Sequence, residues 1–101
     1  MYKHVVFWKI KDEVAGTQKA DLIKSVVDKL DALPAAIPEI KVYEVARNIG
    51  DYGASFYDIC LISVFENKET FWSYTKYPEH DVVVAYIQSV QEAEQIVDFE
   101  F

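Results

Sequence analysis

The stretch SFYDICLISVFE, residues 55–66, decides the fold because it predicts a strand with two apolar faces. At the two-residue period of a strand, the even-numbered face carries Phe56, Asp58, Cys60, Ile62 and Val64, and the odd-numbered face carries Tyr57, Ile59, Leu61, Ser63 and Phe65. The helices of a two-layer domain cover only one face of a sheet, so the second face needs another cover. Keeping four such side chains out of water is worth roughly 6 to 12 kcal/mol, at about 1.5 to 3 kcal/mol each.

Length and composition limit the class of protein. The chain has 101 residues, of which 51% are hydrophobic, so we expect a single folded domain over residues 1–101. Its 17 acidic residues outnumber the 10 lysines and arginines and give a net charge of −7. Because nucleic-acid binding needs a clustered basic surface, we expect no nucleic-acid partner.

The cysteine content and the length of the apolar runs predict the compartment. Cys60 is the only cysteine, so no internal disulfide can form, and this favours a reducing environment. No apolar run has the length of a membrane span, and the one near the N-terminus is too short for a signal peptide. We therefore expect a cytoplasmic protein with no membrane partner.

Hydrophobic periodicity predicts an order of strands and helices. The strands span Tyr2–Ile10 and residues 40–48, 55–66 and 96–101. A long amphipathic helix is predicted from an N-cap at Thr17 to Leu33, where Pro34 ends it. Asn67 is predicted to cap a short helix, and Pro78 to begin another. This order is that of the ferredoxin-like α+β sandwich, with an antiparallel four-stranded sheet and all helices on one face.

The sheet face without helices predicts self-association. We assign His4, Val6 and Trp8 of the first strand to this bare face. An apolar patch of that size marks an interface, and a two-fold homodimer with facing sheets buries both copies at once. The prediction is therefore a dimeric α/β barrel in which the open sheet faces meet and enclose a pocket.

Six segments of the chain together resemble a known family. In chain order they are YKHVVFWKIKDE, LPAAIPEI, ARN, YDICLISVFEN, YTKYPEHDVV and VDFEF. The ordered set resembles the stress-responsive dimeric α/β-barrel domain proteins, or Dabb, from the first strand to the last. The resemblance implies a ferredoxin-like fold that dimerises through its sheets into a barrel with a pocket in each subunit.

The resemblance also implies site residues. One plant relative is a polyketide cyclase that uses a Tyr and a His for an intramolecular aldol condensation without a cofactor, and these correspond to Tyr74 and His80. His4 falls where the family usually has a pocket-facing His on the first strand. The family pattern His-Pro-x-His is altered, because Tyr77 replaces its first His. The predicted pocket residues are His4, Val6, Trp8, Trp72 and Tyr77.

Tyr and His suit acid/base chemistry. His is easily poised for proton transfer near neutral pH, and Tyr can stabilise a developing enolate oxygen. With Tyr74 at the end of one helix and His80 at the start of the next, the bend at Pro78 can aim both side chains at one cavity. The alternative is that Tyr74 packs in the core while His80 occupies a first helical turn. The alternative for His4 is a core histidine whose ring hydrogen-bonds a neighbour.

The central strand contains two further polar candidates. Asp58 is its one charge within the apolar run and is expected to pair with His4 or Arg47, or to lie near the solvated end of the strand. Cys60 is expected to be a small core residue rather than a nucleophile, because no basic residue lies nearby in sequence to lower its pKa.

We expect no cofactor and no metal. The two histidines do not have the spacing of a zinc motif, and the chain has no Gly-rich phosphate loop. Some plant relatives carry a magnesium ion near the loop that corresponds to residues 35–39. Glu39 is the only charged side chain of that loop in this sequence, whereas Mg²⁺ prefers several oxygen ligands. We therefore expect no magnesium ion at this loop.

Three functions remain open from the sequence. The first is a homodimeric barrel whose apolar, aromatic-lined pocket binds a small hydrophobic or polyketide-like molecule, with a role in stress response implied by the family. The second is a cofactor-free enzyme, either a cyclase with His80 as base and Tyr74 as orienting acid or a monooxygenase of the similar dimeric-barrel type used in antibiotic biosynthesis. The third is a structural dimer whose cavity is filled by its own side chains.

Overall fold

A four-stranded antiparallel sheet with helices on one face forms the fold. The computed structural model describes residues 1–101. Its elements, in chain order, are β1 (Tyr2–Ile10), β2 (Glu13–Val14), β3 (Thr17–Gln18), α1 (Lys19–Asp31), α2 (Leu33–Ala36), β4 (Val42–Arg47), β5 (Ile59–Phe65), α3 (Lys68–Thr75), α4 (Pro78–Val90) and β6 (Gln91–Glu100). The strand order of the main sheet is β4-β5-β1-β6, and every neighbouring pair is antiparallel. The predicted ferredoxin-like α+β architecture is confirmed.

The odd-numbered side chains of β5 pack against the helices. Ile59, Leu61 and Phe65 are buried in the core, and Ser63 is buried with them. The Ser63 hydroxyl donates to the His4 carbonyl oxygen at 3.1 Å, so this polar side chain has a partner. The strand has the two apolar faces predicted for it, although it spans Ile59–Phe65 and is shorter than residues 55–66.

β1 turns its even-numbered side chains toward the helices, which corrects a prediction. Val6, Trp8 and Ile10 are buried in the core. His4 shares their side of the strand, so the assignment of His4, Val6 and Trp8 to the bare face is wrong. A period of two separates the faces of a strand but does not say which face the helices cover.

The face of the sheet that the helices leave bare, called the open face below, is strongly apolar. Across its middle, Ile62, Val5 and Val97 lie opposite one another on three neighbouring strands. Large hydrophobic side chains are exposed on it: Phe7, Val42, Val97, Phe99 and Phe101. The apolar bare face inferred from the sequence is therefore present, but the odd-numbered residues of β1 contribute to it.

The start and end of α1 differ from the prediction. The N-cap is Gln18, which makes no side-chain capping bond, because Thr17 pairs with Val14 in the small β2/β3 hairpin. α1 ends at Asp31, and Pro34 lies in the first turn of α2 instead of ending α1 at Leu33. Proline is tolerated there because first-turn N–H groups have no partner within the helix.

The starts of α3 and α4 are as predicted. The Asn67 side chain accepts a hydrogen bond from the Thr70 backbone N–H at 2.9 Å, and the Thr70 hydroxyl accepts one from the Asn67 N–H at 3.2 Å. This reciprocal pair is a capping box. Pro78 begins α4, whose predicted apolar stripe of Val83, Ile87 and Val90 is buried. None of the helices combines the length and the apolar character of a membrane span.

The outer strands differ in length from the predicted ones. β4 spans Val42–Arg47, within the predicted residues 40–48. β6 begins at Gln91, directly after α4, and not at residue 96. Its first half, QEAEQ, has no apolar run. This segment is an edge strand that forms through its backbone hydrogen bonds to β1. Strand propensity alone therefore does not detect it.

Candidate functional site

A cavity of about 200 Å³ lies between the sheet and the helices within one protomer. Eleven of its 16 lining residues are hydrophobic, and none is Lys or Arg. Val6, Trp8 and Leu61 contribute from the sheet, and Phe71 and Ile87 contribute from α3 and α4. Its polar lining includes His4, Tyr74, His80 and Glu94. This cavity lies on the helix side of the sheet, where His4, Val6 and Trp8 also point.

A second, more open depression of about 330 Å³ lies near Phe7 and Cys60. Neither a histidine nor a carboxylate side chain lines it. Its larger volume therefore does not make it the better candidate, because both histidines line the smaller cavity.

His4 is held by a carboxylate from the last strand. β1 and β6 pair so that His4 lies opposite Asp98, and the His4 Nδ1 atom is 2.5 Å from the Asp98 Oδ1 atom. The Tyr2 hydroxyl donates to the other oxygen of Asp98 at 2.8 Å. Burial, together with the hydrogen bond to Asp98, raises the pKa of Tyr2 to about 12, so Tyr2 stays protonated. With its Nδ1 atom engaged, His4 has its Nε2 atom free for a ligand.

His80 lies beside Tyr74, as the sequence predicted from the bend at Pro78. The centroids of the two rings are 4.5 Å apart in an edge arrangement. The Nδ1 atom of His80 is buried and has no hydrogen-bond partner. Burial lowers the pKa of His80 and the nearby His4 adds to this shift, whereas Asp81 and a hydrogen bond with the Thr75 backbone act against it. His80 is therefore a neutral imidazole at neutral pH.

Tyr74 is joined to Tyr43 of β4. Their hydroxyl oxygens are 2.8 Å apart. Burial raises the pKa of Tyr74 to about 12, and it also raises the pKa of Tyr43. Both hydroxyls are therefore protonated at neutral pH, and their mutual bond uses only one of the two hydrogens. The second hydrogen remains available as a donor.

Five of the seven predicted site residues line the cavity, and two do not. The five are His4, Val6, Trp8, Tyr74 and His80. Trp72 is 51% exposed because Phe71 and Tyr74 occupy the inner side of α3. Tyr77 precedes α4 and donates from its hydroxyl to Glu39 at 3.0 Å, away from the cavity. The prediction that Trp72 and Tyr77 line the pocket is therefore corrected.

The sequence interpretation missed three polar residues at or behind the cavity. Tyr2 and Asp98 hold each other behind His4. Glu94 lines the cavity and accepts a hydrogen bond from the Trp8 indole N–H at 2.8 Å. Antiparallel pairing of the first and last strands was the available signal, because it places acids of the last strand opposite His4 and Trp8.

Asp58 and Cys60 belong to other surroundings. The Asp58 carboxylate accepts from the Ile10 backbone N–H at 2.8 Å and lies 3.2 Å from the Lys19 ammonium. The predicted pairing with His4 or Arg47 is therefore wrong, because Asp58 lies just outside β5, where it meets the end of β1. Cys60 is partly buried on the open face, and burial raises the pKa of its thiol. The raised pKa argues against a nucleophile.

The loop over residues 35–39 does not fit the magnesium ion of the plant relatives. One oxygen of Glu39 accepts from Tyr77, and the other is buried without a hydrogen-bond partner. No group of three or more His, Cys, Asp or Glu side chains comes together in the chain. A single carboxylate that already binds a tyrosine is a poor donor set for Mg²⁺.

Comparisons with known proteins agree with this fold. A dimeric protein of unknown function with a ferredoxin-like fold from Bacteroides fragilis is 31% identical, with a TM-score of 0.84, over 99% of this chain and 95% of that one. A dimeric ferredoxin-like protein from Thermobifida fusca is 26% identical, with a TM-score of 0.84, over 99% and 90%. An antibiotic biosynthesis monooxygenase is 15% identical, with a TM-score of 0.74, over 100% and 98%, and shares the fold.

A family assignment follows from the sequence. None of the curated proteins compared with the chain matches it. The sequence model of the stress responsive A/B barrel domain matches residues 2–101, which is almost the whole length. The chain therefore belongs to the stress responsive A/B barrel domain (Dabb) family.

Proposed function

We propose that the chain is a single-domain protein, over residues 1–101, that binds a small, mainly apolar molecule in the cavity of each protomer. The observation that carries this proposal is the convergence of His4, Tyr74 and His80 on a cavity whose other walls are mainly apolar. Such a combination, an apolar pocket with a few polar groups that orient the ligand, is typical of small-molecule sites.

The volume of the cavity narrows the size of the ligand. At about 200 Å³ it exceeds the cavities of about 150 Å³ that hold benzene, but it is smaller than the 300 Å³ or more of typical drug-sized pockets. A compound with a single six-membered ring fits this space. A longer polyketide-like chain would need side chains at the cavity mouth, such as Val84 and Gln88, to move aside.

We also propose that two copies pair through the open face. The exposed Phe7, Val97 and Phe99 side chains on this face support the pairing, as does the dimeric state of the relatives from Bacteroides fragilis and Thermobifida fusca. In a two-fold dimer both copies bury the same apolar face, and each cavity stays on the helix side of its own sheet. We propose a cytoplasmic location and, by analogy with the family name, a role in stress response.

Cofactor-free acid/base catalysis is the second candidate function. The neutral imidazole of His80 in the cavity lining favours it, because a neutral imidazole can take a proton from a carbon next to a carbonyl group. The free hydroxyl hydrogen of the Tyr43–Tyr74 pair can donate to the resulting enolate oxygen. We propose His80 as base and Tyr74 as the orienting acid, with His4 as a second base. Monooxygenase-like chemistry would additionally need O₂ as the oxidant.

Titration with benzene, followed by NMR, tests the binding proposal. Saturable shifts are expected at the Trp8 indole N–H and at the methyl groups of Val6 and Leu61, whereas the exposed Trp72 indole should not respond. Val84→Phe should weaken binding because its larger side chain takes up part of the cavity. A wild-type protein whose Trp8 signal does not move up to the solubility limit of benzene would refute the proposal.

A separate assay distinguishes catalysis from binding. If the protein is an enzyme, His80→Ala should abolish turnover of a true substrate, and Tyr74→Phe should reduce it, with the oligomeric state unchanged. Equal turnover in wild type and His80→Ala would remove His80 from the mechanism. Turnover lost together with the oligomeric state would show a structural effect instead.

A further inference from the structure

The carboxylates at and behind the cavity have no Lys or Arg side chain beside them in the cavity lining. Glu94 lines it directly, and Asp98 lies behind His4. No Lys or Arg side chain lines it, and the chain as a whole carries a net charge of −7. A ligand in this cavity therefore meets one carboxylate, that of the solvent-exposed Glu94, without a Lys or Arg side chain in the lining to offset its charge.

Glu94 is fixed in place by the wall of the cavity itself. The indole of Trp8, which is buried, donates to one Glu94 carboxylate oxygen at 2.8 Å. β6 carries Glu94 opposite Trp8 in the sheet register, so backbone pairing and a side-chain bond both place this carboxylate at the cavity. It cannot simply swing away without leaving the buried indole N–H unpaired.

The two histidines and the tyrosine pair are poor partners for an anion, which leaves the Gln88 amide as an uncharged donor in the lining. Asp98 already occupies the Nδ1 atom of His4, and Tyr43 is hydrogen-bonded to Tyr74. Burial lowers the pKa of His80, so this side chain contributes hydrogen-bonding atoms but no positive charge at neutral pH. Single N–H and O–H donors are sufficient for a carbonyl or hydroxyl oxygen, whereas a buried carboxylate needs a counter-charge.

We propose that this cavity accepts an uncharged carbonyl or hydroxyl compound and discriminates against carboxylates, and that Glu94 determines this specificity. The proposal rests on the ligand-binding function proposed above and adds the chemical class of the ligand. The apolar walls determine the size and shape of the ligand. Its oxygen atom accepts hydrogen bonds from His4, His80 or Tyr74, and Glu94 repels a negatively charged ligand.

Acetophenone and benzoate form a matched pair of probes, because one carries a methyl group where the other carries a negatively charged oxygen. Each is titrated into the purified protein while the Trp8 indole signal is followed by NMR, with Trp72 as the internal reference. Acetophenone should bind at least about tenfold more tightly, equivalent to about 1.4 kcal/mol. Part of this ratio reflects the general cost of burying benzoate, so a variant of Glu94 provides the decisive comparison.

Glu94→Gln keeps an oxygen that can accept from Trp8 but removes the charge. We expect this variant to lower the ratio of the acetophenone affinity to the benzoate affinity at least about fivefold, which corresponds to about 1 kcal/mol of binding free energy. Glu66→Gln makes the same change in net charge on the exposed side chain near Lys41 and should leave the ratio as in wild type.

The outcomes separate this inference from the binding proposal. Acetophenone binding with the same ratio in wild type and Glu94→Gln would overturn the role of Glu94 and leave the binding proposal standing. Benzoate binding as tightly as acetophenone in wild type would overturn the ligand class. Failure of benzene and both other probes to bind would overturn the binding proposal and this inference with it.

Discussion

Val97→Asp should prevent the proposed dimer from forming. Val97 lies in the middle row of the open face and is 56% exposed in the protomer. Full burial of a valine is worth about 1.5 to 3 kcal/mol, so covering this fraction contributes about 1 to 1.5 kcal/mol per copy. A two-fold interface contains the residue twice, which gives about 2 to 3 kcal/mol and a dissociation constant raised roughly 30- to 150-fold. The buried carboxylate adds to this loss.

Sedimentation velocity at micromolar concentration measures the effect. Wild-type protein should sediment as a dimer and Val97→Asp as a monomer. Val82→Asp is the matched control, because Val82 is 69% exposed on α4, away from the open face, and this variant should remain dimeric. A monomeric wild type, or a Val97→Asp protein as dimeric as its control, would refute pairing through the open face.

Three further predictions concern the core and the cavity. Phe65→Ala should lower the free energy of unfolding by about 3 to 5 kcal/mol, because Phe65 is fully buried beside Phe71 and Tyr74. Urea unfolding measures this loss, and a loss below about 1 kcal/mol would contradict the packing. Tyr43→Phe and Tyr74→Phe should each lower the free energy of unfolding by about 1 to 3 kcal/mol, because each leaves the other hydroxyl unpaired. The double variant should lose less than the sum of the two single losses. Strictly additive losses would mean that the 2.8 Å contact between the hydroxyls is not formed. Because the pKa of His80 is lower when folded, the unfolded chain binds its proton first, so stability should fall as pH drops from about 6.5 toward the folded pKa. His80→Gln should remove that part of the slope in urea unfolding at successive pH values, and an unchanged slope would contradict the shift.

Local sequence patterns predicted most of the elements. The Asn67 cap, the start of α4 at Pro78 and the two-faced β5 depend on residues close together in the chain, and all three are present. Periodicity does not decide the faces of β1: it predicts His4, Val6 and Trp8 on the open face, whereas they lie on the helix side. The choice between two apolar faces depends on where α1 and α4 dock, and the strand does not record this.

The candidate site was predicted only in part. Tyr74 and His80 are six positions apart across one bend, so their proximity is a local property. The partners Asp98, Tyr2 and Glu94 depend on the register between β1 and β6, which the sequence interpretation did not work out. The aromatic character of Trp72 predicts a pocket residue, but its neighbours Phe71 and Tyr74 occupy the inner side of α3.

The bond between His4 and Asp98 joins residues 94 positions apart. Closing a loop of that length costs more entropy than closing a short one, so we expect this bond to form late in folding. An intermediate that already has β5 packed under its helices would still lack the carboxylate behind its histidine. Only fully folded molecules would then bind the ligand, and partly folded ones would not.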